Sequence, residues 1–360
     1  LGGLQMVRIA VIPGDGISHE IMPEAVKTLE TAHELYEFAL DYETYDFGVE
    51  HYLKTGQVAP DDIDDFITGL PSTFDAALFG AGGIDPRVPS GESAQVVLRG
   101  LRRGLDLYAN VRPCRLLNDD LTPLKGKTSD DIDFVVIREN TEGYESGTGG
   151  TFKVGTPLES EIRPEHNTYA GVRRVIEFAF DFAEQRGRKQ VAVAEKGLPN
   201  GLWSRLFEVI SAQHPDIESR HVHVDTMAYL MITAPELVDV VVAENRAGDI
   251  LSDVGGAVQG SRGLAPAGCF NAEKDFAYFE PVHGTAPDII GQGIANPMAA
   301  IMAAKMLLDY KGHPEAANAI EQAVRATIDS GTVTSDLGGS SSTAQVGEAV
   351  REALMKNAGR

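Results

Sequence analysis

Six short apolar runs alternate with longer stretches whose apolar residues recur at helical spacing, and no other feature restricts the fold as much. The runs are VRIAVI at 7–12, DAALFG at 75–80, DFVVIR at 133–138, QVAVAE at 190–195, RHVHV at 220–224 and DVVVAE at 239–244. Most are too short for a helix and too continuously apolar for a strand with one wet face, so they read as buried strands. Candidate helices lie between them: ISHEIMPEAVKTLETAHEL, ESAQVVLRGLRRGLDLY, AGVRRVIEFAFDFAEQRG, GLWSRLFEVISAQ and PMAAIMAAKMLLDYKG. Strand and helix in alternation predict an α/β fold, a sheet with helices on its faces. Residues 145–165, ESGTGGTFKVGTPLESEIRPE, break that rhythm with Gly, Ser, Thr and Pro. They read as a long loop or arm, of the kind that serves function or an interface.

With 360 residues, 43% of them hydrophobic, the chain can bury a large core, and its length suits two domains. The first five residues, LGGLQ ahead of Met6, read as an added leader outside the fold. No apolar run approaches the roughly 18 residues that a membrane helix needs; AAIMAAKMLL is broken by Lys305. Cys114 and Cys269 alone offer neither a disulfide framework nor a thiolate zinc site, which favours a reducing cytoplasm. A net charge of -22 argues against nucleic acid, since phosphate binding needs Lys and Arg. Against that acidity, Arg99, Arg102, Arg103, Arg112 and Arg115 crowd into one segment. Such a cluster invites a small anionic ligand.

Four groups of residues carry candidate chemistry. In ENRAGDILSD, Asp249 and Asp253 stand four apart on one helical face, where like charges repel unless a cation intervenes. Asp225 follows the RHVHV strand, and oxygen-only donors of this kind suit a divalent cation. The arginines form the second group: guanidinium forks suit carboxylates, and Arg138 ends a strand, where α/β folds place ligands. Lys196 closes VAVAE and is a candidate general base, although a lone surface lysine would look the same. Tyr144, after RENTEG, is a candidate proton donor or a packing residue of the arm. GDGISHE and GAGGID both lack the last glycine of a Rossmann fingerprint. HGTAPDIIGQGIANP, between the short strand AYFE and a helix opened by Pro297, offers glycines for close backbone approach and Asp288 for ribose hydroxyls.

Taken together, IPGDGISHEI, LRRGLDLYANVRP, IRENTEG, the VD at 224–225, ENRAGDILSD and FEPVHGTAPDIIGQGIANP resemble the metal-dependent β-decarboxylating dehydrogenases, from residue 7 to 355. That family includes isopropylmalate, isocitrate, homoisocitrate, tartrate and D-malate dehydrogenases. The resemblance implies an isocitrate/isopropylmalate dehydrogenase-like fold of two α/β domains, and a homodimer with shared active sites. Residues 1–107 and 260–360 would form the large domain with the nucleotide loop, and 108–259 the small one with the arm and metal ligands. It implies that Arg102, Arg112 and Arg138 hold substrate carboxylates, with Leu98 beside the C3 substituent. Asp225, Asp249 and Asp253 would bind Mg2+ or Mn2+. Lys196 would be the base, reaching with Asp225 into the partner's site. His283, Gly284, Thr285, Ala286, Pro287, Asp288, Ile289 and Asn296 would hold the cofactor, and Asp288 before Ile289 looks like the NAD-using version.

Some places differ from the family pattern. Glu145 stands where the family keeps its tyrosine, with Tyr144 one earlier; Leu198 replaces a common asparagine; Arg246 replaces an apolar residue. Leu98, with no Ser or Asn beside it for a third carboxylate, disfavours isocitrate and favours 3-isopropylmalate. GIDPRVP at 83–89 looks more like tartrate and D-malate dehydrogenases. Another 3-substituted malate, recognised by Arg246, and a catalytically silent regulatory paralogue are the other readings.

Overall fold

A computed structural model describes residues 6–83, 85–88, 94–197 and 200–359, the side chain of Gln95 apart. Its strands are β1 (Met6–Gly14), β2 (Ala39–Thr44), β3 (Ala76–Ala81), β4 (Ala109–Arg115), β5 (Asp133–Glu139), β6 (Gly150–Phe152), β7 (Ser160–Ile162), β8 (Gln190–Glu195), β9 (Glu218–His223), β10 (Val240–Ala243), β11 (Pro266–Phe270) and β12 (Tyr278–Pro281). Its α-helices are α1 (Ser18–Leu35), α2 (Val49–Thr55), α3 (Ile63–Thr73), α4 (Arg99–Gly104), α5 (Tyr169–Arg186), α6 (Leu202–Ser211), α7 (Val224–Thr233), α8 (Asn245–Val258), α9 (Met298–Tyr310), α10 (Pro314–Asp329) and α11 (Thr343–Asn357). Ten strands form one sheet in the order β2-β1-β3-β12-β11-β4-β5-β10-β8-β9, and β6-β7 form a separate antiparallel pair within the expected arm. None of the described helices is long and apolar enough to cross a membrane.

All six apolar runs are strands. Those at the centre are the driest: every residue of β3 and β10 is buried. Helices cover both faces, and the core divides accordingly. On the β1 side, Ile9, Leu29, Ile301, Leu307 and Leu354 form one cluster, and Ile12, Phe79, Leu101 and Tyr278 another. Beyond β4, Val111, Ile137, Phe180 and Val193 pack on one side, and Cys114, Phe134, Val241 and Leu251 on the other. Burying each such side chain contributes roughly 1.5–3 kcal/mol. The edge strands β2 and β9 stay partly wet, which is why ALDYET does not stand out in the sequence.

The middle of the sheet positions the arginines. β4 runs antiparallel to both β5 and β11, with Asn110 opposite Arg138 and Arg112 opposite Val136. Residues two apart on a strand share a face, so Arg112 projects on the same side as Asn110 and Arg138. α8 crosses that face closely: a Cβ on Gly248 would lie 2.8 Å from the Cβ of Arg138. Only a glycine lets the helix settle there.

GDGISHE has a structural use. Asp15 is buried, and its carboxylate accepts hydrogen bonds from the backbone N–H of Val49 (2.7 Å) and Gly83 (3.3 Å). Ile17 N–H donates to the Thr285 carbonyl at 3.1 Å. Gly16, at φ 62, leaves no room for a Cβ, which would meet the Thr285 oxygen at 2.2 Å. The segment therefore ties the turn after β1 to three other loops. Asp15→Ala leaves the buried Val49 N–H and the half-buried Gly83 N–H without their carboxylate and should lower unfolding stability by about 1–3 kcal/mol, read from the urea midpoint at constant m.

Candidate active site

Arg102 of α4, Arg112 of β4, Arg138 of β5 and Leu98 come together in one cavity of about 230 Å3. Its walls also include Arg99, Glu145, Asp249 and Glu280, with His283 and Gly284 from the glycine-rich loop. Leu98 closes a π-helical turn (Ala94–Leu98) that leads directly into α4. Arg102 is fixed from behind: its Nε donates to the Tyr278 hydroxyl at 2.9 Å and its Nη2 to Glu280 at 2.8 Å. Arg103, by contrast, faces solvent.

Arg112 and Arg138 are each about 5% exposed and share Asp249. Arg112 Nη1 reaches its Oδ1 at 3.0 Å and also donates to Ser252 at 2.7 Å. Arg138 makes a short bond to the same oxygen and donates through Nη2 to Asn245 at 2.7 Å. Asn245, Asp249 and Ser252, spaced by four and three, present one side of α8 to the guanidiniums. Burial, with the charge of Arg112, lowers the Arg138 guanidinium to about 10. Burial would raise the Asp249 carboxyl, but Arg138, Arg112 and Arg102 outweigh it and hold it below the usual carboxylate range. Asp249 is ionised at neutral pH. With its side chain half exposed, it faces the cavity as an anion between two cations.

The expected metal ligands are not gathered in one chain. Asp253, one turn beyond Asp249, pairs with Arg262 at 3.4 Å. Asp225 lies in the first turn of α7 and accepts a 2.7 Å bond from Lys196, which holds its carboxyl low. Among the described residues no three His, Cys, Asp or Glu side chains converge as an ion site. The donor chemistry of Asp249, an ionised carboxylate open to the cavity, still fits a hard divalent cation, with the Asp253 carboxylate one turn along the same helix.

Lys196 does not reach the arginine cavity. It lines a larger hollow of about 600 Å3 with Glu195, Glu244, Arg246 and Ile250. Tyr144 is also displaced. The left-handed Gly143 begins a turn in which Glu145, not Tyr144, faces the arginines. The Tyr144 hydroxyl accepts from Arg163 at 3.1 Å, and its ring lies 4.9 Å from the Arg246 guanidinium carbon. The proton-donor role expected for Tyr144 is therefore not supported by its position. Leu198, and Ile84 and Pro89 of GIDPRVP, lie outside the described residues.

The loop after β12 lines the arginine cavity at one end and is anchored by α1 at the other. His283 Nε2 is buried without a hydrogen-bond partner, an open polar atom beside the cavity that suits a bound cofactor. Ala286 is held at φ 43, Pro287–Ile289 form a 3-10 turn, and Asp288 is exposed there. Asn296, however, uses its side chain for the fold, accepting from Met298 N–H at 3.0 Å and donating to Asp336 at 3.1 Å. A residue the sequence reading missed is Glu20. Its two carboxylate oxygens accept from Gly291 N–H at 2.6 Å and Gly293 N–H at 2.7 Å, both left-handed. Its signal was an acid in the first turn of a helix, next to a glycine motif read only as a failed fingerprint.

Glu244 caps α8, accepting from the N–H groups of Arg246 and Ala247. Burial first, then Glu165 beside it, push its carboxyl up to about 7. An acid whose folded pKa exceeds the unfolded value of about 4.3 contributes stability below that value and loses it as pH rises through the folded one. The protein should therefore lose thermal stability between about pH 4.5 and 7 from this group. Glu244→Gln should flatten that part of the profile; parallel profiles would contradict the assignment.

The sequence model of a family described as isocitrate/isopropylmalate dehydrogenase matches residues 8–350. The D-malate dehydrogenase [decarboxylating] of Escherichia coli is 40% identical, over 98% of this chain and 100% of that protein. The 3-isopropylmalate dehydrogenase of Thermobifida fusca is 39% identical, over 96% and 97%. The tartrate dehydrogenase/decarboxylase of Pseudomonas putida is 40% identical, over 97% and 98%. Among solved structures, isocitrate dehydrogenase from Methylococcus capsulatus superposes with a TM-score of 0.85 at 35% identity, over 97% of this chain and 99% of that one. These homologues are decarboxylating dehydrogenases, and this chain belongs to the isocitrate/isopropylmalate dehydrogenase family.

Proposed function

We propose that the protein is an NAD- and divalent-metal-dependent dehydrogenase that oxidises and decarboxylates a 3-substituted malate. The observation that carries this is the convergence of Arg102, Arg112, Arg138 and ionised Asp249 in one cavity beside His283 and Gly284. Three guanidiniums in a small space suit a dicarboxylate. Asp249 and Asp253, with Asp225 of a second subunit, would hold Mg2+ or Mn2+, and the loop from His283 would hold NAD. When bound, NAD would supply the hydride acceptor and the cation Lewis-acid polarisation of the C2 oxygen, the chemistry by which the carboxylate on C3 is released as CO2 and C3 takes up a proton in its place.

The chain's own residues supply the rest. Arg102, Arg112 and Arg138 orient both carboxylates, exchanging Asp249 for substrate as their partner. Lys196 takes the C2 hydroxyl proton. Because Lys196 lies outside the cavity of its own chain, this reading requires a homodimer with shared sites; a cytoplasmic location is part of the same proposal. The exposed pair Lys196–Asp225, with Tyr229 and Ile232 on α7 and Ile250 on α8 also exposed, supports an interface there. The reading also assigns residues 1–107 and 260–360 to the large domain and 108–259 to the small one.

The direct test is a panel of D-malate, tartrate, 3-isopropylmalate and isocitrate with NAD and Mn2+, following NADH and CO2 together. Metal-dependent release of both in equal amounts supports the reading; NADH from none of them rejects it. Lys196→Met should lower kcat by about 10^2–10^4-fold, the range of general-base loss, with the dimer retained. Asp288→Lys with Ile289→Tyr should shift the kcat/KM preference from NAD towards NADP, and an unaltered ratio would count against the loop.

A further inference from the structure

Leu98 on its own points to an apolar C3 substituent, yet the residue after it is charged. Arg99 Nη2 and Glu145 Oε2 lie 2.5 Å apart, with side chains 31% and 29% exposed. Arg99 sits one turn before Arg102 on the same helix, and Glu145 enters from the turn after β5. The pair lines the arginine cavity and also an adjoining one of about 280 Å3, where Tyr144 and Arg163 stand. It is the partition between them. With Arg102, Arg112 and Arg138 committed to the two carboxylates of a malate, Leu98 and this ion pair are wall left for the C3 side.

Resting on the dehydrogenase reading, we propose that the Arg99–Glu145 pair is the specificity element for C3 and selects a hydroxyl there, so that the preferred substrate is a 2,3-dihydroxydicarboxylate of the tartrate class. A hydroxyl donates and accepts. It can donate to Glu145 and accept from Arg99 at once, and the two ions keep each other. An isopropyl group does neither, and packing it against the pair strips water from two charges without replacing it. A carboxylate-ended arm gains Arg99 but meets Glu145, a repulsive element of the kind that builds selectivity. D-Malate, with hydrogen at C3, leaves the pair closed and is tolerated.

The test is steady-state kcat/KM with NAD and Mn2+ on tartrate, D-malate, 3-isopropylmalate and isocitrate. Tartrate should exceed 3-isopropylmalate by more than about tenfold, the scale on which unpaired polar groups and misfit side chains discriminate. Arg99→Leu with Glu145→Leu should erase that preference. Glu145→Gln, a milder change that removes only the negative charge, should raise isocitrate relative to tartrate. A wild type that prefers 3-isopropylmalate or isocitrate, or a Glu145→Gln ratio that does not move, overturns this inference and leaves the dehydrogenase reading standing. NADH from none of the four overturns both.

Discussion

Two buried guanidiniums sharing one carboxylate form the interaction around which this molecule is arranged. Arg112 and Arg138 are nearly sealed from solvent, and a bare charge in that position costs several kcal/mol. Asp249 offsets that cost while its other side stays open to the cavity. Like charges are held close here only because an anion lies between them. That is also a binding device, since any ligand carboxylate that replaces Asp249 finds cations already desolvated and oriented.

The fold serves that interaction at several levels. Three antiparallel pairings, β12 with β11, β11 with β4 and β4 with β5, join two parallel halves of the sheet, and the register of the last puts Arg112 and Arg138 on one face. Gly248 lets α8 lie against that face, and its spacing brings Asn245, Asp249 and Ser252 to the same cations. Tyr278 and Glu280 anchor the third arginine, Arg102, from the strand that leads into the glycine-rich loop. Glu20 and Asp15 hold the loops on the opposite side. The arginine cavity and the glycine-rich loop thus share supports, and an error in β12 would disturb both.

Much of this was legible in the sequence, for particular reasons. Buried parallel strands leave continuous apolar runs, so β1, β3, β5, β8 and β10 could be read directly. β4 could not, because Asn110, Arg112, Pro113 and Arg115 interrupt ANVRPCR, although Arg112 is buried there to face the cavity. The acid pair in ENRAGDILSD posed the right question, but only half of the answer. Within one chain the two carboxylates part company, Asp249 to Arg112 and Arg138, Asp253 to Arg262. Tyr144 misled because a one-residue shift after Gly143 exchanges which side chain faces the cavity. Lys196 and Asp225 show the limit of one chain: they pair with each other, away from the arginine cavity.

If Asp249 is the arginines' partner only until a dicarboxylate takes its place, substrate and cation should bind cooperatively, because substrate frees the same carboxylate that the ion needs. The most direct measurement is an equilibrium titration of Mn2+, with free ion read by electron paramagnetic resonance, with and without saturating D-malate. The account predicts tighter Mn2+ binding in the presence of D-malate in the wild type, and no such coupling in Asp249→Asn. Equal Mn2+ affinity with and without the dicarboxylate, or coupling that survives in Asp249→Asn, would contradict it.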